Sequence, residues 1–133
     1  MKLLSLTVAV LVLGIAFPAT AQVPRDLDPA VVNPTSIKVL LENDSVRVMD
    51  AVLPPGYKER LHRHPPYVMY ILSGGKVRLN SATGQTRDSE FTAGDVFYSD
   101  GVTHWAENTG TSTIRVLLVE MRTPEKNKSP PAN

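Results

Sequence analysis

The chain has 133 residues, with 14 lysines and arginines, 13 aspartates and glutamates, and no cysteine. This length allows one domain with a single continuous core, and the lack of cysteine excludes disulfide bonds and a lipid on an N-terminal cysteine. The near-neutral charge leaves no basic field for nucleic acid or for an anionic membrane surface.

Residues 1–21 have the pattern of a secretory signal peptide. Lys2 precedes the apolar run LLSLTVAVLVLGIAF, and Pro18 and the small residues Ala19-Thr20-Ala21 follow it. Signal peptidase accepts such an A-x-A arrangement, and the run is short for a membrane span of about 20 residues. We therefore expect cleavage after Ala21, export to the periplasm or the extracellular space, and no membrane contact after cleavage. The mature chain would carry 14 − 1 = 13 basic and 13 acidic residues, a formal net charge of zero.

The mature chain divides into an arm, a strand-rich region and a tail. Residues 22–36 contain several prolines and show no periodicity, so they predict an extended N-terminal arm. Residues 37–122 contain short segments rich in β-branched and aromatic residues, separated by turn sequences: IKVLLE, SVRVMDAVL, YVMYIL, KVRLNS, DVFYS and TIRVLLVEM. Such spacing predicts an all-β sandwich or barrel. Residues 123–133 have no apolar periodicity and are predicted to be a disordered tail.

The alternation within Lys76–Asn80 predicts that Val77 and Leu79 face the core. The sequence TGQT that follows predicts a hairpin turn into the next strand.

The three histidines of the chain fall in two short segments. His62 and His64 lie in GYKERLHRHPPYVMYILSGG, and His104 lies in GDVFYSDGVTHWAEN. Residues i and i+2 of a strand point to the same face, so His62 and His64 project together while Arg63 points away. Imidazoles are ligands that suit zinc, iron, copper and nickel. This spacing indicates a candidate metal site.

Two motifs around these histidines resemble those of the cupin superfamily. The first is Gly56, five residues, His62-Arg63-His64, a strand and Gly74-Gly75; the second runs from Gly94-Asp95 through Gly101 and His104 to Asn108. The resemblance covers Ile37 to Met121 and is to small single-domain cupins of the conserved-barrel type. It implies a β-barrel of the jelly-roll, or double-stranded β-helix, type. It also implies that His62, His64 and His104 bind one divalent metal.

The chain departs from the cupin pattern at the fourth ligand, which in that family is a glutamate of the first motif. Counting back from Gly74 or Gly75 places this position at Tyr67 or Val68, respectively, and neither is an acid. Tyr67 remains a candidate fourth ligand, a hydrogen-bond partner of a bound water, or simply a packed strand residue. Without a carboxylate, the charge of the ion is less neutralised, so an anionic ligand should bind more readily. In the second motif, Asp100 stands where the family has a proline.

Four other polar residues have predicted roles. Arg60 lies two residues before His62, on the same face if the strand continues, where it could meet a substrate carboxylate or be solvated at the barrel mouth. Glu107 lies three residues after His104, on the opposite face, and is a poor candidate for the missing ligand. Asp95 fits a turn, and Asn108 fits the satisfaction of loop backbone groups.

Two classes of function are consistent with this pattern. The first is an exported metal-dependent enzyme, dioxygenase-like or isomerase-like, that acts on a small anionic molecule with iron, manganese, zinc or nickel. The second is a non-catalytic barrel that binds or senses a small ligand, with or without metal. The chain has no nucleophile elbow, P-loop or dinucleotide fingerprint, so chemistry would depend on the metal. By resemblance to cupins that pair through edge strands, we expect a homodimer.

Overall fold

The short β-branched and aromatic segments form antiparallel strands, because each is long enough to pair and is bounded by turn residues. The structure, a computed structural model, describes residues 23–122; the predicted signal peptide and tail lie outside these residues. In chain order the described strands are β1 (Ile37–Glu42), β2 (Val46–Leu53), β3 (His62–His64), β4 (Tyr67–Ser73), β5 (Gly75–Ser81), β6 (Thr86–Phe91), β7 (Val96–Ser99), β8 (Val102–Asn108) and β9 (Ile114–Met121).

The strands pair into two antiparallel sheets. One has the order β1-β2-β9-β4-β7, and the other has the order β3-β8-β5-β6. Both contribute to one core, in which Met49 and Ile71 of the first sheet and Val77 of the second are almost fully buried. The predicted all-β barrel of jelly-roll type is confirmed.

The hairpin predicted at TGQT joins β5 to β6, and the predicted inward face of β5 carries Val77 and Leu79. No helix within residues 23–122 is long and apolar enough to cross a membrane.

The sequence predicted an extended arm before β1, but part of this arm is helical. A 3-10 turn covers Arg25–Leu27, and a one-turn helix, α1, covers Pro29–Val32. Asp28 starts α1, because its Oδ1 accepts hydrogen bonds from the backbone N–H groups of Ala30 and Val31 at 3.0 and 3.2 Å. Proline is favourable at the first helical position, where its missing N–H is not needed. The arm therefore folds locally, and its buried residues Val32 and Asn33 lie against the barrel.

Gly101 brings β8 close to the end of β3. Its φ of +112° lies in the region that favours glycine, and a Cβ there would be 3.1 Å from the backbone oxygen of His64. A side chain at this position would therefore push apart the two segments that carry the histidines.

The predicted structural roles of two polar residues are seen in the loops. Asp95 Oδ2 accepts a hydrogen bond from Thr92 N, as a turn residue does. Asn108 is fully buried, and its amide donates to the carbonyls of Leu53 and Ser112.

Candidate metal centre

Strand pairing brings the three histidines together. His62 and His104 are direct partners in the β3–β8 register, so their side chains lie on the same face of the sheet. His64 is two residues from His62 and shares that face. The ring centroids are 4.7 to 5.5 Å apart, and one ring nitrogen from each histidine lies within 4.8 Å of the other two. The predicted convergence is present in the structure, whereas metal binding itself stays a prediction.

His62 is oriented by the loop that precedes it. Its Nδ1 lies 2.8 Å from the carbonyl oxygen of Arg60. A carbonyl can only accept, so Nδ1 carries the proton and Nε2 keeps a free lone pair. The loop is fixed by Asn33 of the arm, whose Oδ1 accepts from Arg60 N at 2.7 Å and whose Nδ2 donates to the carbonyl oxygen of Arg60 at 3.3 Å. The arm thus holds in place the carbonyl that orients the ring.

His64 is oriented by a buried carboxylate. Its Nδ1 lies 2.6 Å from Glu120 Oε1, and both side chains are almost fully buried. Donation from Nδ1 to this carboxylate leaves Nε2 free. Arg47 Nη1 lies 3.9 Å from Glu120 Oε2 and 2.7 Å from Asp28 Oδ2. A chain of charged groups therefore runs from the arm to His64.

His104 supplies the clearest indication of a missing partner. Its Nε2 is buried and has no hydrogen-bond partner among residues 23–122. Burial lowers the pKa of His104 to about 3 and that of His62 to about 4, with neighbouring histidines contributing to both shifts. Both imidazoles are therefore neutral at pH 7. Neutral imidazoles with free, converging nitrogens are the donor set that a divalent transition metal requires, so these residues fit such an ion.

The histidines line a cavity of about 870 Å³ inside the barrel. Most of the lining is apolar and comes from both sheets. Polar lining residues include Asn80, Ser81, Gln85, Thr86, Arg87 and Ser99. The volume falls within the usual range for sites of small organic molecules.

Glu59 is a buried acid of this cavity that the sequence reasoning missed. It is 8% exposed, and its Oε2 accepts a hydrogen bond from Ala106 N at 3.0 Å and lies 3.9 Å from His62 Nε2. Burial raises its pKa to about 7. Glu59 precedes β3 in an irregular segment, so no strand periodicity predicts its direction. Its position between Gly56 and His62 in the first motif was the only available signal.

Tyr67 and Arg60 occupy different surroundings. Tyr67 begins β4, is buried and lines the cavity, with its ring 5.0 Å from that of His64. Burial raises the pKa of its phenol, so the hydroxyl is protonated at neutral pH. Arg60 is exposed and is not among the residues that line the cavity. The strand begins only at His62, so the alternation that placed Arg60 on the histidine face does not extend to it.

Glu107, like Arg60, does not line the cavity, in agreement with the predicted opposite face.

No protein-family model matches the sequence, and no curated protein matches it. Solved structures do match. A cupin domain protein from Bordetella pertussis Tohama I is 26% identical, with a TM-score of 0.60 over 65% of this chain and 92% of that chain. A Klebsiella pneumoniae protein with a double-stranded β-helix domain is 20% identical, with a TM-score of 0.53 over 84% and 85%.

The DMSP lyase DddQ from Ruegeria pomeroyi is 17% identical, with a TM-score of 0.51 over 74% of this chain and 53% of that chain. At this identity the likeness concerns the fold alone. Together these neighbours show that the chain has the cupin jelly-roll fold, and the Bordetella protein, at 26% identity, supports its placement in the cupin superfamily.

Proposed function

We propose that the chain is an exported cupin barrel that binds one divalent metal ion through His62, His64 and His104. Iron, manganese, zinc and nickel all suit this donor set. Two observations carry the proposal: one ring nitrogen of each of the three histidines converges, and His104 Nε2 is buried without a partner among the described residues. A buried imidazole nitrogen without a partner is costly unless something binds it.

The further proposal is that the site is catalytic and acts on a small anionic molecule, as a metal-dependent dioxygenase or isomerase would. When bound, the ion supplies Lewis-acid or redox chemistry. The wall around the histidines is mostly apolar. Tyr67 can donate a hydrogen bond from its hydroxyl to a molecule in the cavity. Glu120 and Arg60 hold the two histidines of β3 in the orientation described above.

Glu59, rather than Tyr67, is the group that we assign to the position of the missing acid. It approaches from before the histidine pair, whereas the family glutamate follows it. An oxygen 3.9 Å from His62 Nε2 is close to the separation of about 3 to 4 Å between ligands that share one ion with bonds near 2.1 Å. A carboxylate also offsets the charge of the ion, which the three neutral imidazoles cannot do.

Metal titrations test the proposal. The mature protein should take up one ion per chain, and His62→Ala should abolish stoichiometric uptake, because two ligands leave an ion mostly hydrated. Glu59→Gln should weaken uptake by at least about 10-fold, whereas Tyr67→Phe, the matched control, should leave it nearly intact. Equal uptake by the wild type and His62→Ala would refute the metal site.

Metal analysis of the purified protein separates the two classes of function. Redox-active iron or manganese at one ion per chain, together with turnover, supports an enzyme. Bound small molecules without turnover in the metal-loaded protein would instead identify a binding or sensing barrel.

A further inference from the structure

Arg87 is a cation on the inner face of the barrel. It lies on β6 opposite Leu79 of β5, and directly opposed residues share a face of an antiparallel sheet. Leu79 lines the cavity, and so does Arg87. The next residue, Asp88, points outwards and pairs with Arg78 at 2.7 Å. The alternation along β6 thus turns Arg87 towards the cavity while its neighbour is satisfied on the outside.

Arg87 differs in its pairing from four other arginines of the described residues. Four arginines form ion pairs at 2.6 to 2.8 Å: Arg47 with Asp28, Arg78 with Asp88, Arg115 with Asp50, and Arg122 with Glu42. Arg87 forms no ion pair within residues 23–122 and is the one lysine or arginine among the described residues that line the cavity. A guanidinium presents a planar set of donors that matches a carboxylate.

The positions of Arg87 and the histidines define two ends of the cavity. On β5, Ser81 is the register partner of His104 of β8, and Leu79 is the partner of Arg87 of β6. Arg87 is therefore two strands away from His104 and two residues along the strand direction. With a strand spacing of about 4.8 Å and a rise of about 3.3 Å per residue, the backbones of Arg87 and His104 are about 12 Å apart. Leu79 and Ser81 of β5 lie between them, and Leu79 continues into an apolar wall with Val77 of β5 and Ala106 of β8. The path from the cationic end to the histidine end therefore runs along an apolar wall.

We propose that Arg87 binds the carboxylate of an amphipathic organic acid whose apolar body extends into the barrel towards the histidines. This assignment rests on the proposed function for the reaction at the histidine end, and it names the ligand class and a specificity-determining residue. A charge-assisted pair with a guanidinium contributes enough to change affinity by about 10- to 100-fold. The proposed acid is longer than acetate, because its apolar body extends from Arg87 along the wall of Leu79, Val77 and Ala106.

The test uses 3-phenylpropanoate, its primary amide and acetate as probes in calorimetric titrations of the full mature chain. Each titration is made on the metal-loaded protein and on protein stripped with a chelator, since a metal ion can bind carboxylates itself. The wild type should bind 3-phenylpropanoate in both forms, and more tightly than the amide or acetate. Arg87→Ala should lose about 10-fold or more of this affinity, and Arg87→Lys should retain part of it. Arg78→Ala is the matched control and should bind as the wild type does, because Arg78 lies on the adjacent strand β5, pairs with Asp88 on the outside and does not line the cavity.

Unchanged binding in Arg87→Ala, equal binding of acid and amide, or no binding of 3-phenylpropanoate would overturn the assignment. Circular dichroism and thermal unfolding verify that each variant is folded; β6 is an edge strand and Arg87 is exposed, so little loss of stability is expected. Metal uptake is measured separately. A chain that binds the acid through Arg87 but takes up no metal would refute the metal site and support the ligand class. Normal metal uptake together with unchanged acid binding in Arg87→Ala would support the metal site and refute the ligand class.

Discussion

Burial acts in opposite directions on the acid and the bases of the cavity. It raises the pKa of Glu59 to about 7, and it lowers the pKa of His62 to about 4 and that of His104 to about 3. Each shift favours the neutral form, because the charged form loses its hydration inside the barrel. Near pH 6 the metal-free cavity therefore holds these three groups mainly uncharged.

Glu59→Gln should make the metal-free protein more stable at high pH. The pKa of Glu59 is about 7 in the folded protein and 4.5 in the reference state, so the folded state binds its proton more tightly. The stability from this proton is fully present below about pH 4.5 and is lost as the pH rises through 7. Glutamine cannot ionise but can still accept the hydrogen bond from Ala106 N. The free energy of unfolding of the variant, relative to the wild type, should therefore rise by on the order of 1–3 kcal/mol between pH 5 and pH 8.

Urea unfolding of both proteins at several pH values, with a chelator present, measures this difference. The pKa values of His62 and His104 are lowered, so their contribution to the free energy of unfolding is lost as the pH falls below 6.5. This contribution is common to both proteins and cancels in the difference. A difference that is independent of pH would show that Glu59 does not titrate as described.

The elements differ in how they position the site. The β3–β8 pair sets the spacing of the histidines, whereas β9 and the arm supply the groups that orient them. Asn33 is 2% exposed and bridges the arm to the Arg60 loop. The segment that the sequence suggested as an extended arm is thus a support for the metal centre.

Asn33→Ala should weaken metal binding although Asn33 offers no ligand in the proposed site. The substitution removes the acceptor of Arg60 N, so the loop that orients His62 loses its anchor. Loss of such a supporting group lowers metal affinity by about 10- to 100-fold in other proteins. Thr35→Ala is the matched control, because Thr35 is an exposed residue of the same arm whose side chain hydrogen-bonds to the Tyr57 hydroxyl and not to the Arg60 loop. Metal titration of both variants is the measurement, and equal affinities would show that the arm has no role in orienting the site.

Strand periodicity predicted the parts of the site that lie within regular strands. His62 and His64 share a face because they are two residues apart, and the resemblance to cupins added His104. Glu120 was predictable but was missed: Ile114, Val116 and Leu118 are in phase with it along β9, so an acid occurs in the inward series. Glu59 and Arg60 were not predictable in this way, since alternation has no meaning before His62 begins the strand. Tertiary contacts alone decide that Glu59 is buried and Arg60 exposed.

At the scale of the whole molecule, the edges of the first sheet remain open. β1 is an edge strand, and its Val39, Leu40 and Leu41 are 39 to 59% exposed. Natural proteins usually protect such edges with charge or by pairing. The predicted homodimer is consistent with this edge and stays a prediction.

Export predicts a defined N-terminus for the mature protein. Cleavage after Ala21 would leave a chain that starts at Gln22, with or without cyclisation to pyroglutamate. Intact-mass measurement of the protein secreted or released from the periplasm checks this. A chain that retains residues 1–21 in the membrane fraction would contradict the proposed export.

The contacts from Asp28 through Arg47 and Glu120 to His64, and from Asn33 to His62, change where the functional unit begins. Judged by its sheets, the domain starts at Ile37. Judged by the contacts of its histidines, it starts at Asp28, nine residues earlier. A fragment cut at Ile37 would keep all three histidines and every strand, yet it would leave Arg47 and the Arg60 loop without their arm partners. Weak metal binding by such a fragment would therefore report the truncation and not the barrel.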